Sequence, residues 1–216
     1  MKLIIFSLSL TLLATSVLAT DETSPTTKSK LTPEQAEARY TTAIDQRSEK
    51  IVQTLELSDT NMAAKVHDII MAQYRTLNGW HNTNDASLKA AKGDKVTVAK
   101  ISASLKALHD EYLASLAQYL KPAQIEQVKD QMTYGKVQFT FKGYCVAYSN
   151  LSEANKQEIL RLLKEAREEA MDGGSSDEKS AVFKRYKGKI NNYLSKQSIH
   201  PEKKMSSGST TNSPAK

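Results

Sequence analysis

Cysteine is nearly absent from this sequence: Cys145 is the only one in 216 residues. An internal disulfide is therefore impossible, and stability has to come from burial. A chain this long can supply it, since a domain of its size buries roughly 70% of its unfolded surface. Cys145 sits in Gly143-Tyr144-Cys145-Val146-Ala147-Tyr148, among apolar neighbours, and reads as an inert buried thiol. Histidine is scarce too, with four in the chain. His81 and Asp85 could share a helix face, and His109-Asp110-Glu111 forms a second cluster. Most metal sites need three or four ligands, so neither a metal site nor a cofactor is expected. A Ser-His-Asp order, a Gly-rich phosphate loop and an HExxH helix are all missing.

Long apolar runs are missing as well. The stretch from Leu3 to Leu13 is broken by Ser and Thr, well short of the roughly 20 residues a membrane span needs. Lys2 precedes it, Val17-Leu18-Ala19 offers small residues for a signal peptidase, and Thr20-Asp21-Glu22 follows. That is the three-part pattern of a cleaved secretory signal over residues 1–19. No Cys near Ala19 suggests a lipid anchor. For an exported chain, the lack of disulfides fits a bacterial periplasm better than a eukaryotic secretory route. Periplasmic or extracellular localisation is expected, with no stable membrane insertion after cleavage.

Charge of one sign is not dominant. Lys and Arg number 30 against 24 acids, a net +6, and removing Lys2 with the signal leaves about +5. This mild excess is no nucleic-acid signature, whereas anionic polysaccharide or lipid headgroups fit it.

What is present is one helical device, repeated. Leu31-Thr32-Pro33-Glu34-Gln35 combines a leucine staple, an N-cap Thr, Pro at the first helical position and Gln three residues after the cap. Leu57-Ser58-Asp59 and Leu151-Ser152-Glu153 repeat the staple and cap, and Leu120-Lys121-Pro122-Ala123-Gln124 keeps all but the cap. Apolar stripes at helical spacing follow each start. The second helix is expected to stop at Asn78-Gly79, a third to run from about Val98, and the fifth to end at Gly173-Gly174. The sixth carries Val182, Phe183, Tyr186, Ile190, Tyr193 and Leu194 on one stripe. Each stripe can bury only against another helix, which predicts an all-α bundle of about six helices. Residues 133–143 alternate at period two and are expected to form an extended, irregular crossover, the first place to look for a site. Residues 20–31 read as a flexible spacer, 32–199 as the helical domain and 200–216 as a disordered tail.

Two charged regions stand out. Glu165, Glu168, Glu169 and Asp172 interleave with Arg161, Lys164 and Arg167, the pattern of an ion-paired helix surface. In the last helix, Lys184, Arg185, Lys187, Lys189, Asn191 and Asn192 flank the apolar stripe. A Gly and two adjacent Asn are poor helix formers there, so close packing at Gly188 or a polar contact by the amides should offset them.

Three segments carry a family resemblance: Lys129-Asp130-Gln131-Met132-Thr133-Tyr134-Gly135; Glu165 to Asp172 with Ser175-Ser176; and Tyr186 to Leu194. Gln73-Tyr74-Arg75 and His81 extend it. On these the chain resembles the exported bacterial family catalogued as domain of unknown function 3826, whose members tend to occur among genes for polysaccharide breakdown. The family pattern has Arg where Lys189 stands and His where Ser180 stands. The Leu-Thr-x-x-Gln helix starts also resemble those of small periplasmic stress chaperones.

The resemblance implies a carbohydrate-associated binding or accessory protein of a polysaccharide-utilisation system, with an acidic oligo- or polysaccharide as its partner. The candidate ligand-binding residues are Lys129, Asp130, Tyr134, Arg167, Lys187, Lys189, Asn191 and Asn192, in a pocket between the crossover and the last two helices. Lys129, Arg167, Lys187 and Lys189 would meet carboxylates, and Asn191 and Asn192 would bond hydroxyls. A lyase using a lysine or Tyr134 as base ranks below binding, for want of a base–acid pair. The other alternative is a chaperone-like or envelope-stress protein, which needs an exposed apolar cradle.

Overall fold

Four helix starts lie where the sequence places them. A computed structural model describes residues 31–202 and shows seven helices and no strand among them. They are α1 (Pro33–Gln53), α2 (Thr60–Ala90), α3 (Lys95–Ala117), α4 (Pro122–Met132), α5 (Lys136–Ala147), α6 (Glu153–Met171) and α7 (Ser176–Lys196). Thr32 and Gln35 form the capping box on α1. The Asp59 carboxylate caps α2, and Ser152 caps α6. The signal at 1–19, most of the spacer and the tail beyond Glu202 lie outside the described residues.

The helices divide into two packed groups. Ile51, Val66, Ile70, Tyr112, Leu116 and Val128 bring α1 to α4 around one core. Val137, Tyr144, Ile159, Leu163, Phe183 and Ile190 bring α5 to α7 around a second. α6 joins them: it packs on α4, and Met171 at its end is buried in the first core. The turn after Met171 is therefore pinned where both halves meet.

Two expectations need correction. Residues 133–143, expected as an extended crossover, are helical from Lys136 onward as the first part of α5, and only Thr133–Gly135 stays outside a helix. A lone strand would leave its backbone N–H and C=O groups without partners, while a helix satisfies them internally. The alternation conceals a second stripe, Val137, Phe141, Tyr144 and Tyr148, which packs on α6 and α7. The chain reverses through two left-handed residues, Tyr134 (φ 60°) and Gly135 (φ 63°). The Gly135 N–H returns to the Asp130 carbonyl at 2.8 Å, closing α4. The second correction is α2, which continues past Asn78-Gly79 to Ala90. Buried Leu77 and Trp80 hold that stretch, and Trp80 Nε1 donates to Ser104 Oγ of α3 at 2.9 Å. The chain turns instead at Gly93, with φ 104°, and Asp94 caps α3.

On α7 the stripe is as expected, with Phe183, Tyr186, Ile190 and Leu194 all buried. Truncating Ile190 to Ala should cost about 2–5 kcal/mol through lost burial and a cavity, whereas Asn192→Ala, on the exposed flank, should be near neutral. Urea unfolding of the two variants checks this. Equal, small losses would remove Ile190 from the core.

Candidate functional site

The α6–α7 connection gathers segments distant in sequence. Asp172, Gly173, Gly174 and Ser175 link the helices, and the Ser175 hydroxyl accepts from the Glu178 N–H at 3.1 Å to cap α7. Gly174 lies flat on His81: a Cβ there would sit 2.8 Å from the imidazole ring. His81 in turn donates from Nε2 to the Asp172 carbonyl at 2.7 Å and pairs through Nδ1 with Asp85 at 2.9 Å. Burial lowers its pKa, but these bonds outweigh burial and the net shift is upward.

Beside this turn lies a pocket of about 40 Å³, room for a few waters or one carboxylate group. Tyr40 and Arg47 of α1, Tyr74 and Asn78 of α2, Tyr134 of the α4–α5 turn, and Gly173 to Ser176 and Lys179 line it. No acidic residue does. The Tyr40 hydroxyl donates to the Tyr74 carbonyl at 2.8 Å. Tyr134 is half exposed although its left-handed backbone costs a non-glycine residue about 1–2 kcal/mol. That backbone holds its ring at the rim.

Lys179 is the feature hardest to explain as scaffold. It is 4% exposed, its Nζ donates to the Met171 carbonyl at 3.1 Å, and it has no carboxylate partner among the described residues. Burial pulls its pKa down to about 8, against the opposing pull of Asp172 and Glu178 and with some help from Arg47. The first turn of α7 adds the positive end of a helix dipole, partly offset by Asp177 and by Glu178, which accepts from the Gly174 N–H at 2.9 Å. The ensemble favours an anion.

The sequence-predicted residues fall into separate places. Lys129, Asp130 and Arg167 come together between α4 and α6, but as a closed network. Arg167, 2% exposed, binds Asp130 at 2.8 Å, Glu126 at 2.6 Å and Glu168 at 2.9 Å. Lys129 binds Glu168 at 2.8 Å. Their charges are satisfied by each other, as buried charges must be, so Arg167 belongs to the interior rather than to an ion-paired surface. Arg161 and Arg185 do form that surface, paired with Glu158 and Glu169. Tyr134 alone of the eight lines the pocket. Lys187 and Asn191 line a separate groove between α5 and α7. Lys189 lies over the Tyr186 ring at 3.8 Å, and Asn192 is exposed. Gly188 has nothing close to it, so the offset comes from the amide: Asn191 Oδ1 accepts from the Tyr144 hydroxyl at 2.8 Å.

Sequence reasoning missed Tyr40, Arg47, Tyr74, Asn78 and Lys179. For Lys179 a signal existed. It precedes Phe183, Tyr186 and Ile190 at spacings of four, seven and eleven, on the buried stripe of α7, where an unpaired lysine is out of place.

His109 of α3 ties the network to the turn, with Nδ1 3.0 Å from the Asp172 carboxylate. Bonds to Asp172 and Glu168 push its pKa up to about 9 despite burial. The folded value lies above the unfolded one of about 6.5, so the stabilisation is complete below pH 6.5 and is lost as pH rises through 9. Lys179 works oppositely: its burial penalty is full below about pH 8 and fades toward 10.5. Between pH 6 and 9 the wild-type protein should therefore lose stability relative to His109→Gln, on the order of 1–3 kcal/mol. Chemical unfolding of both across that range measures the difference, and parallel curves would contradict it.

The DUF3826 family, described as proteins of unknown function, matches residues 41–208. No curated protein matches the chain. The match takes in most of α1, all of α2 to α7, the ion network and every pocket residue but Tyr40. The chain belongs to the DUF3826 family.

Proposed function

We propose that this is an exported, carbohydrate-associated binding or accessory protein of a polysaccharide-utilisation system. Its α6–α7 pocket holds the carboxylate of an acidic sugar. The observation that carries this reading is the pairing of buried Lys179 with Arg47 in a pocket lined by no acid. A carboxylate entering there meets a cation lacking an ionic partner, a second cation and the opening turn of a 21-residue helix. Tyr40, Tyr74 and Asn78 add phenol and amide groups suited to hydroxyls. The pocket admits the acid group, and the sugar ring would rest at the rim beside Tyr134.

A second reading follows from the burial of Lys179, which lowers the pKa of its amine. An amine that is partly neutral near pH 8 can take the C5 proton of a uronate. The C4–O bond then breaks to give a C4–C5 double bond, and the leaving oxygen collects a proton from the Tyr134 hydroxyl. That is a lyase.

One experiment weighs both. Calorimetry with glucuronate and galacturonate, and with glucose and galactose as neutral controls, should show binding of the acids alone. Lys179→Met and Arg47→Ala should each weaken it by about tenfold or more. Equal binding of the neutral sugars, or intact binding in both variants, would overturn the proposal. Incubation with polyuronate reports the lyase through absorbance of its unsaturated product, and flat absorbance would reject that reading alone. Export rests on the Val17-Leu18-Ala19 site: intact mass of the secreted protein should begin at Thr20, and a retained Met1 would reject the signal.

A further inference from the structure

α5 leaves an apolar stripe facing outward. Phe139 and Val146 are each 81% exposed and lie seven residues apart, so they share one face of the helix, with Gly143 leaving a gap between them. Few large apolar side chains in the described residues are exposed to this degree. The stripe forms one wall of an open groove of about 1130 Å³ between α5 and α7. α5 and α7 run parallel there: Lys136 Nζ meets Ser180 Oγ at 3.2 Å, and the Tyr144 hydroxyl meets the Lys187 carbonyl and Asn191 further along. Phe139, which lines the groove, lies five residues past Tyr134, which lines the α6–α7 pocket. The far end of the groove is closed by Glu202, whose N–H donates to the Ala147 carbonyl at 2.9 Å.

The walls are mixed in a specific way. Phe139 and Tyr148 offer ring faces, and Tyr148 is steadied by stacking on Tyr144, with centroids 5.9 Å apart. Lys142, Lys187 and Asn191 interrupt the apolar surface with donors. A lipid chain or an amphipathic peptide helix would want a continuous dry wall, and the lysines and the amide break it. Sugar rings present apolar C–H faces and polar edges, and that alternation is what aromatic faces beside charged and amide donors accommodate. The sign of the charge agrees, because two lysines line the groove against one acid, Glu202.

We propose that the α5–α7 groove binds the chain of an acidic oligosaccharide, its ring faces on Phe139 and Tyr148 and its carboxylates toward Lys142 and Lys187. This rests on the acidic-sugar reading of the α6–α7 pocket and extends it: the pocket takes one terminal acid group, and the groove takes the units that follow.

The test compares chain lengths on the full secreted protein. Galacturonate, tetragalacturonate, a neutral galactose tetramer, an apolar amphipathic peptide and anionic lipid vesicles are titrated against wild type, Phe139→Ala, Lys187→Ala and Lys179→Met. Phe139 and Lys187 are exposed, and thermal melts confirm that the variants fold. Tetragalacturonate should bind roughly tenfold or more tighter than the monosaccharide, and Phe139→Ala and Lys187→Ala should abolish that gain while leaving monosaccharide affinity unchanged. Affinity independent of chain length, or a gain that survives both substitutions, overturns the groove and leaves the pocket standing. A tetramer that binds through Phe139 while Lys179→Met changes nothing keeps the groove and sinks the pocket. Peptide or vesicle binding lost in Phe139→Ala, with saccharide binding untouched, overturns the proposal and favours a chaperone-like or membrane-facing surface.

Discussion

A lysine ammonium buried against a single carbonyl governs the middle of this molecule. Lys179 sits on the apolar stripe of α7, and its only hydrogen-bond partner among the described residues is the carbonyl of Met171. An unpaired buried charge costs several kcal/mol. The fold tolerates the group because its position is over-determined. Met171 is locked in the first core, Phe183 and Ile190 fix α7 in the second, and Gly174 presses on His81. The lowered pKa of the amine is a consequence of that one constraint.

The turn before α7 separates charge into two compartments. On one side Asp172, Glu168, Asp130 and Glu126 meet His109, Arg167 and Lys129, and every charge finds an opposite at hydrogen-bond or ion-pair distance. On the other side Arg47 and Lys179 face a space with no acid. Asp172 and Glu178 both act on Lys179, but the Asp172 carboxylate is held by His109 and the Glu178 carboxylate accepts from the Gly174 N–H. The closed network thus does more than join α3, α4 and α6: it holds the Asp172 carboxylate away from Lys179. The same partition explains why Lys129 and Arg167, which look like ligand residues in sequence, are scaffold.

Much of the fold was legible because helix starts have local chemistry. Thr32, Asp59 and Ser152 cap their helices through bonds to backbone N–H groups within three residues, and such bonds can be read from a short window. α5 was not legible, because Phe139 and Phe141 satisfy a period of two as well as a helical stripe, and only packing on α6 and α7 selects between them. Asn78-Gly79 carried a stop signal that Trp80, anchored to α3, overrides. The site was less legible still. Tyr40, Tyr74, Tyr134 and Lys179 lie on four different segments, so nothing local marks them as neighbours. Lys179 was the exception, a charge on a buried stripe, and its position carried the clue.

The claim that this pocket is an anion site turns on the state of one amine. A nuclear magnetic resonance pH titration of the Lys179 Cε and Nζ resonances, with and without galacturonate, addresses it directly. In the free protein the amine should titrate near pH 8, and bound galacturonate should move that midpoint upward, because a carboxylate favours the charged form. A free lysine titrating in its ordinary range, with a midpoint that galacturonate leaves in place, would contradict the account.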